Sequence, residues 1–249
     1  MVDLHGKVAV VTGGASGIGE ATVREMAALG ASVVIADIDD GKGKDLAGNL
    51  QASGQAGIYQ AANVSREGDV QALVERTVVE YGRLDIMVAN AGVNASSPTH
   101  NLSLEAWREN LAVNLDGVFL SAKHAIRYMR LHGGGAIVIT GSVLGHVGAP
   151  GGVLPYTGAK AAVANMARSL ALEYAGDNIR VNTVSPGYVT TPLLENLDAQ
   201  AIERLVSLHP LGRLGKPSEV AKAIVFLASD DASFITGTSL LVDGGYTAR

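Results

Sequence analysis

Short runs of aliphatic and β-branched residues alternate along this chain with longer segments whose apolar positions recur every three or four residues. The short runs are 7–12 (KVAVVT), 32–37 (SVVIAD), 57–61, 85–89, 136–140, 179–184 and 239–242. Helical spacing fills 18–29, 41–52, 67–81, 104–131, 156–174, 193–208 and 218–228. Runs that stay apolar throughout read as strands covered on both faces, and strand–helix alternation at this spacing predicts a parallel sheet with right-handed crossovers. The expected fold is α/β: a doubly wound, Rossmann-type, seven-stranded parallel sheet with helices on both faces. No linker-like stretch or composition break divides residues 1–249, so a single domain is expected.

Composition narrows the function. Of the 249 residues 47% are hydrophobic and 17% charged, enough to bury a substantial core. A net charge of −5 provides no basic field for nucleic acid or an anionic membrane. The absence of cysteine removes disulfides and thiolate chemistry and fits a reducing, cytoplasmic compartment; no targeting segment is visible at the start. The six histidines show no pairing with carboxylates of the metal-binding kind, so no metal is expected. Residues 131–159 carry no formal charge, but their many glycines exclude a membrane helix and suggest a strand followed by a loop beside a ligand.

The first strand runs into Thr12-Gly13-Gly14-Ala15-Ser16-Gly17-Ile18-Gly19, and a helix follows. Glycines let a backbone turn sharply and approach a pyrophosphate, which the positive end of the helix then attracts. Asp37 closes the second strand, where a carboxylate can accept hydrogen bonds from a ribose diol. It would repel a 2′-phosphate, and Ala15, Ser16 and Ile38 supply no compensating cation, which argues for NAD.

Tyr156 and Lys160 stand one turn apart at the start of a predicted helix. Tyrosine is a poor base at its ordinary pKa, and bringing it to neutrality takes roughly 4 kcal/mol of differential stabilisation. A nearby ammonium supplies stabilisation of that sign.

With these motifs the chain resembles the short-chain dehydrogenase/reductase family, in its compact single-domain branch. TGGASGIG resembles that family's cofactor loop, and Asn90-Ala91-Gly92 the motif after its fourth strand. Asn114, Ser142, Tyr156 and Lys160 resemble its catalytic tetrad; Pro186-Gly187 and LVDGGY resemble its later motifs. The resemblance implies that Tyr156 is the general acid/base and that Ser142 steadies the substrate oxygen. It implies that Lys160 holds the nicotinamide ribose and tunes Tyr156, and that Asn114 positions a water leading from Lys160 to solvent. The implied cofactor contacts are Gly13, Ser16, Gly17, Ile18, Gly19, Asp37, Ile38, Asn63, Val64, Asn90, Ala91, Gly92, Pro186, Gly187, Val189 and Thr190, with Tyr156 and Lys160 shared; Thr191 leaves the register of Thr190 open. The family also implies a lid over about 188–214 and a homotetramer. Ser142 precedes Tyr156 by fourteen positions where thirteen is expected, a difference for the glycine-rich loop 145–152 to absorb.

The expected substrate is a small secondary alcohol or ketone. Val143, Leu144, Val147, Val153 and Leu154, then Ala95, Ser96, Ser97 and Pro98, then Tyr188, Val189, Leu193 and Leu194 bring no cation to the pocket, which favours a neutral compound. His146 reads equally as a substrate contact or a solvent-facing residue, and Trp107 as a helix-packing residue. The alternatives are a 3-oxoacyl-carrier-protein reductase, for which Arg127, Arg130 and Arg168 leave a local basic patch, and a non-catalytic NAD-binding sensor or scaffold.

Overall fold

The seven apolar runs form β1 (Val8–Thr12), β2 (Ser32–Asp37), β3 (Gly57–Ala61), β4 (Ile86–Ala89), β5 (Gly135–Thr140), β6 (Ile179–Pro186) and β7 (Ser239–Val242). They join one sheet in the order β3-β2-β1-β4-β5-β6-β7, every pairing parallel. The structure, a computed structural model, describes residues 2–94, 96–195 and 197–248, and of Leu193 only the backbone.

Around the sheet lie α1 (Gly17–Ala28), α2 (Asp40–Ala52), α3 (Glu67–Tyr81), α4 (Leu104–Leu111), α5 (Gly117–Met129), α6 (Leu154–Tyr174), α7 (Ala199–Ser207) and α8 (Pro217–Ala228). Successive strand side chains point to opposite faces, so each strand feeds two cores. Ala9, Val11, Val33, Ile35 and Val88 pack under α1 and α8 with Val23, Met26, Val220 and Ile224. Val10, Val34, Met87, Ile137 and Ile139 pack on the other face with Val118, Ile126, Val163 and Ala167 of α5 and α6. Both layers are apolar, and β1 and β4 are buried along their whole length.

The chain runs outward from β1 to β3, then returns to β4 on the other side of β1. Strand order reverses between β1 and β4, and a crevice at the carboxyl ends of such strands is where doubly wound sheets bind ligands. The first crossover turns sharply at Gly13 and Gly17, whose φ values are +60° and +55°.

Two helical spans differ from the periodicity. The helices expected over 104–131 are joined through a π-turn at Ala112–Asp116 between α4 and α5. Asn114, inside that turn, aims its amide at Val93 and at Asn110, holding the widened turn against the loop after β4. The helix expected over 193–208 divides into a 3-10 turn at Pro192–Leu194 and α7, because the Asp198 carboxylate caps α7 through Ala201 N–H.

Candidate active site

The glycine loop is shaped by what its neighbours forbid. A Cβ on Gly13 would sit 2.8 Å from the Ala91 Cα, and one on Gly19 would run into the Gly13 carbonyl. Asn90 fixes this loop. Its amide donates to the carbonyls of Thr12 and Gly13 at 3.0 and 3.1 Å, and its oxygen accepts the Thr140 hydroxyl at 3.1 Å. The Thr12 hydroxyl accepts the N–H groups of Asn90 and Ala91 and donates to Val88. Sequence reasoning overlooked Thr12 and Thr140. Their signal was a threonine closing each of two otherwise apolar strands. Ser16 stands at the N-cap of α1 without a side-chain cap bond, so the first N–H groups of the helix face the loop's concavity, where Ser16, Gly17, Ile18 and Gly19 lie.

At the end of β2, the Asp37 carboxylate accepts Ala15 N–H at 3.0 Å and Asp39 N–H at 3.1 Å, which leaves lone pairs for a diol. Ile38 is 76% exposed beside it. Lys42 and Lys44 are drawn to Asp39 and Asp40, so the local field stays negative. That field has a visible effect. The Tyr59 hydroxyl donates to Asp40 and to the Asp37 carbonyl, and burial followed by the acids Asp40, Asp37 and Asp39 raises its pKa. Beyond β3, Asn63 spends its side-chain oxygen on Ser65, while its N–H donates to Asp69. Val64 is buried against Gly117, the first residue of α5.

The chemical group lies at the ends of β4 and β5. Ser142, just past β5, is buried; its oxygen accepts Leu144 N–H at 3.1 Å, and it acts on the Tyr156 hydroxyl to lower that group's pKa. Tyr156 and Lys160 share one face of α6, with the Lys160 Nζ 5.5 Å from the Tyr156 ring centre. Lys160 is 3% exposed and donates to the Thr140 carbonyl at 2.7 Å. Burial lowers its pKa to about 8. Burial raises the pKa of Tyr156, and Ser142 draws it part of the way back; the drop expected from the neighbouring ammonium is not among the effects acting on it. Asn114 is fully buried; its oxygen accepts Val93 N–H at 3.2 Å. A Cβ on Gly92 would lie 3.0 Å from the Asn114 oxygen and 3.7 Å from the Lys160 Nζ, so this glycine keeps open space between the two side chains.

The loops beyond the strands close around this group. Gly151 and Gly152 have φ of +99° and +75°, and Ser97 N–H donates to the Gly152 carbonyl at 3.0 Å, joining two of the segments expected to wall the pocket. Val143 and Leu144 are core residues, whereas Val147 and Leu154 are partly exposed. Ala95 and the Leu193 side chain lie outside the described residues. His146 turns to the sheet, with Nε2 at 3.1 Å from Ser185 and 3.0 Å from Ser239. After β6, Gly187 N–H donates to Val242, and Val189 pairs with Gly215. Thr190 donates to the Gly215 carbonyl, whereas Thr191 lies against Gly17 of the glycine loop. Trp107 packs α4 toward Gly158 of α6. Among the described residues no group of three metal-ligating side chains occurs and no helix is long and apolar enough to cross a membrane.

A glycine cradle that a Cβ would fill, a helix end without a side-chain cap, and an acid at the end of the next strand fit a nicotinamide dinucleotide. Fold and site together define a dinucleotide-binding oxidoreductase with a Ser–Tyr–Lys group whose serine and lysine are buried. A family model described as enoyl-(acyl carrier protein) reductase matches residues 13–247. The chain is 49% identical over 243 residues to the cis-4-hydroxycyclohexanecarboxylate dehydrogenase of Sinomonas cyclohexanicum, covering 97% of each chain. It is 40% identical over 246 residues to the cyclohexanol dehydrogenase of Acinetobacter sp. (strain SE19), covering 98% of this chain and 96% of that one. The crystal structure of a short-chain type dehydrogenase/reductase from Mycobacterium marinum superposes with a TM-score of 0.96 at 35% identity, over 99% and 98% of the two chains. The chain belongs to the short-chain dehydrogenase/reductase family.

Proposed function

We infer that this single-domain protein is an NAD-dependent dehydrogenase that interconverts a neutral cyclic secondary alcohol and its ketone, with Tyr156 as general acid/base. The observation that carries the reading is Tyr156 set one helical turn from a buried Lys160, whose Nζ lies 5.5 Å from the Tyr156 ring centre, next to the glycine loop. Relatives named for cyclohexanol and for a hydroxycyclohexane carboxylate support a ring alcohol. Neutrality is supported by the walls, since the described residues of 94–98 and 143–154 carry no Lys or Arg and Arg213 is held by Glu219 at 2.7 Å. NAD is supported by Asp37 and the acids around it.

Nicotinamide, when bound, accepts the hydride from the carbinol carbon in the oxidative direction. The protein supplies the rest. Ser142 donates to the substrate oxygen and steadies the charge that develops there. Tyr156 takes the hydroxyl proton on oxidation and returns one to the ketone oxygen on reduction. Lys160, with a pKa near 8, holds the ribose and hands the proton on. The space that Gly92 leaves between Lys160 and Asn114 suits a water that carries it toward solvent. The remaining cofactor contacts named from the sequence belong to the same proposal, and residues 188–214 act as a lid.

A homotetramer is part of this reading. α5 and α6 flank a groove of about 350 Å³ lined by Phe119, Ile126, Leu131, Leu170 and Tyr174, and Phe119 and Leu131 are 48% and 81% exposed. Apolar surface of this kind on paired helices suits a two-fold contact. A cysteine-free chain also suits the reducing cytoplasm.

One observation favours a second reading, reduction of an acyl-carrier thioester. The family model is described for such a reductase, and Arg127 and Arg130 border the same groove. Coenzyme turnover with cyclohexanol, 4-hydroxycyclohexanecarboxylate, a sugar alcohol and a 3-oxoacyl thioester, each with NAD(H) and NADP(H), separates the readings. The proposal requires cyclohexanol with NAD to be fastest. Preference for the thioester with NADPH would support the second reading, and cofactor binding without turnover of any substrate would indicate a sensor.

A further inference from the structure

Ser142 stands on a short segment of chain that is gripped from both sides. Before it, Gly141 N–H donates to the Val184 carbonyl of β6 at 2.7 Å, and a Cβ on Gly141 would sit 2.8 Å from the Ser185 Oγ. After it, the chain winds through the 3-10 turn Val143–Gly145. A Cβ on Gly145 would sit 2.7 Å from the main-chain carbonyl oxygen of Lys160, so the turn lies directly on α6. This turn orients the serine. Leu144 N–H donates to the Ser142 Oγ at 3.1 Å, and Gly145 N–H donates to the Ser142 carbonyl at 3.0 Å. The bond from Leu144 takes a lone pair of the Ser142 oxygen and leaves its proton to be given elsewhere.

His146 closes the turn, and the chemistry above does not use it. Its N–H donates to the Val143 carbonyl at 2.8 Å. Its ring leaves the loop for the sheet, where Nε2 lies 3.1 Å from the Ser185 Oγ of β6 and 3.0 Å from the Ser239 Oγ of β7. The two serine oxygens are 2.9 Å apart, and Ser185 is fully buried. The register pairs Ser239 with Thr183, so Ser185, two residues further along β6, shares the face of the sheet that Ser239 occupies. Three polar atoms therefore close a triangle. With Nε2 as acceptor, one serine donates to it and the other serine donates to the first. With the proton on Nε2 the direction reverses. Either tautomer keeps two hydrogen bonds, so the tie from loop to sheet holds in both.

We propose that His146 is a positioning residue for Ser142: anchored on Ser185 and Ser239, it holds the Val143–Gly145 turn so that Leu144 N–H orients the Ser142 hydroxyl toward the substrate oxygen. This rests on the role given to Ser142 above. A donor that steadies developing charge works only where it is aimed, and a misplacement of about 1 Å costs on the order of a hundredfold in rate.

A double-mutant cycle between positions 146 and 142 tests this. It is read as kcat per NAD-binding site, with NAD and the alcohol that the parent turns over fastest. His146→Leu removes the triangle and is expected to lower kcat about tenfold or more while Kd for NAD holds. His146→Gln, whose amide can donate or accept at a similar reach, is expected to recover most of the loss. Ser142→Ala is expected to lower kcat by about 10²–10³-fold. Adding His146→Leu to Ser142→Ala is expected to cost less than about twofold more, because no hydroxyl is left to orient. A residue that only supports the fold, or that touches substrate on its own account, would cost its full factor again. Ser239→Ala, which removes one corner of the triangle, is expected to lower kcat about threefold and to lose that effect in the Ser142→Ala background. It carries the cycle if the leucine variant fails to bind NAD. Parental kcat in His146→Leu, a full additional loss in the Ser142→Ala background, or a glutamine variant as impaired as the leucine one overturns the proposal alone. Parental kcat in Ser142→Ala, or a parent that turns over no alcohol, overturns the functional reading and this one with it.

Discussion

Lys160 donates to the main-chain carbonyl of Thr140 at 2.7 Å, inside the protein and away from any carboxylate. The same threonine gives its hydroxyl to Asn90, which holds the glycine loop. One residue at the end of β5 therefore links Lys160 to the glycine loop. The cost of this arrangement is an ammonium buried without a counter-ion, whose pKa falls from 10.5 to about 8.

That cost predicts a variant more stable than the parent. A shift of this size corresponds to about 3 kcal/mol, and the lost hydrogen bond to Thr140 offsets about 1 kcal/mol of it. Lys160→Met should gain on the order of 1–2 kcal/mol at pH 7 and lose activity. The sign follows from the protons bound. Between pH 8 and 10.5 the unfolded lysine is protonated and the folded one is not, so the parent gains stability as pH rises and the variant's advantage shrinks across that window. Urea unfolding of both proteins at pH 7 and pH 10 checks the direction.

Tyr156→Phe should retain NAD binding and lose about 10²–10⁴-fold in kcat. Calorimetric titration with NAD, paired with steady-state rates, tests both halves. Near-parental turnover would remove Tyr156 from the chemistry.

Asp37→Ala combined with Ile38→Arg should move coenzyme preference toward NADP by about tenfold or more, by removing the repelling carboxylate and adding a phosphate partner. The variant also loses the bond to Ala15 N–H, so a few degrees of thermal stability should go with it. A parent protein that already prefers NADP would contradict the role given to Asp37.

The groove between α5 and α6 predicts self-association. Light scattering at micromolar concentration should give four times the chain mass, and Phe119→Glu with Leu131→Glu should lower it by placing charges on the apolar contact. A parent monomer would contradict the tetramer.

The fold was legible because a parallel sheet covered on both faces writes its strands as unbroken apolar runs, with termini that needed only a residue or two of adjustment. That Tyr156 and Lys160 share a helical face was legible by periodicity, and the Lys160 Nζ lies 5.5 Å from the Tyr156 ring centre, while the role proposed for them came only from the family resemblance. The π-turn at Ala112–Asp116 was not, because it depends on where Asn114 finds partners across the chain at Val93. Nor was the three-ring cluster, since Tyr188, His209 and Tyr246 are far apart in sequence and meet only in the folded chain. His146 shows the same limit. Its loop position suggested substrate or solvent, and its hydroxyl partners on β6 and β7 could not be read from its neighbours in sequence.

Hydride transfer from a ring carbinol is the central claim, and isotopic labelling reads it directly. Cyclohexanol carrying deuterium at the carbinol carbon, oxidised in the presence of NAD, should give cyclohexanone and one deuterium on the nicotinamide ring per ketone formed, at a rate below that of the unlabelled alcohol. Ketone formation with the label released to water, or no ketone at all while the protein binds NAD, would contradict the account.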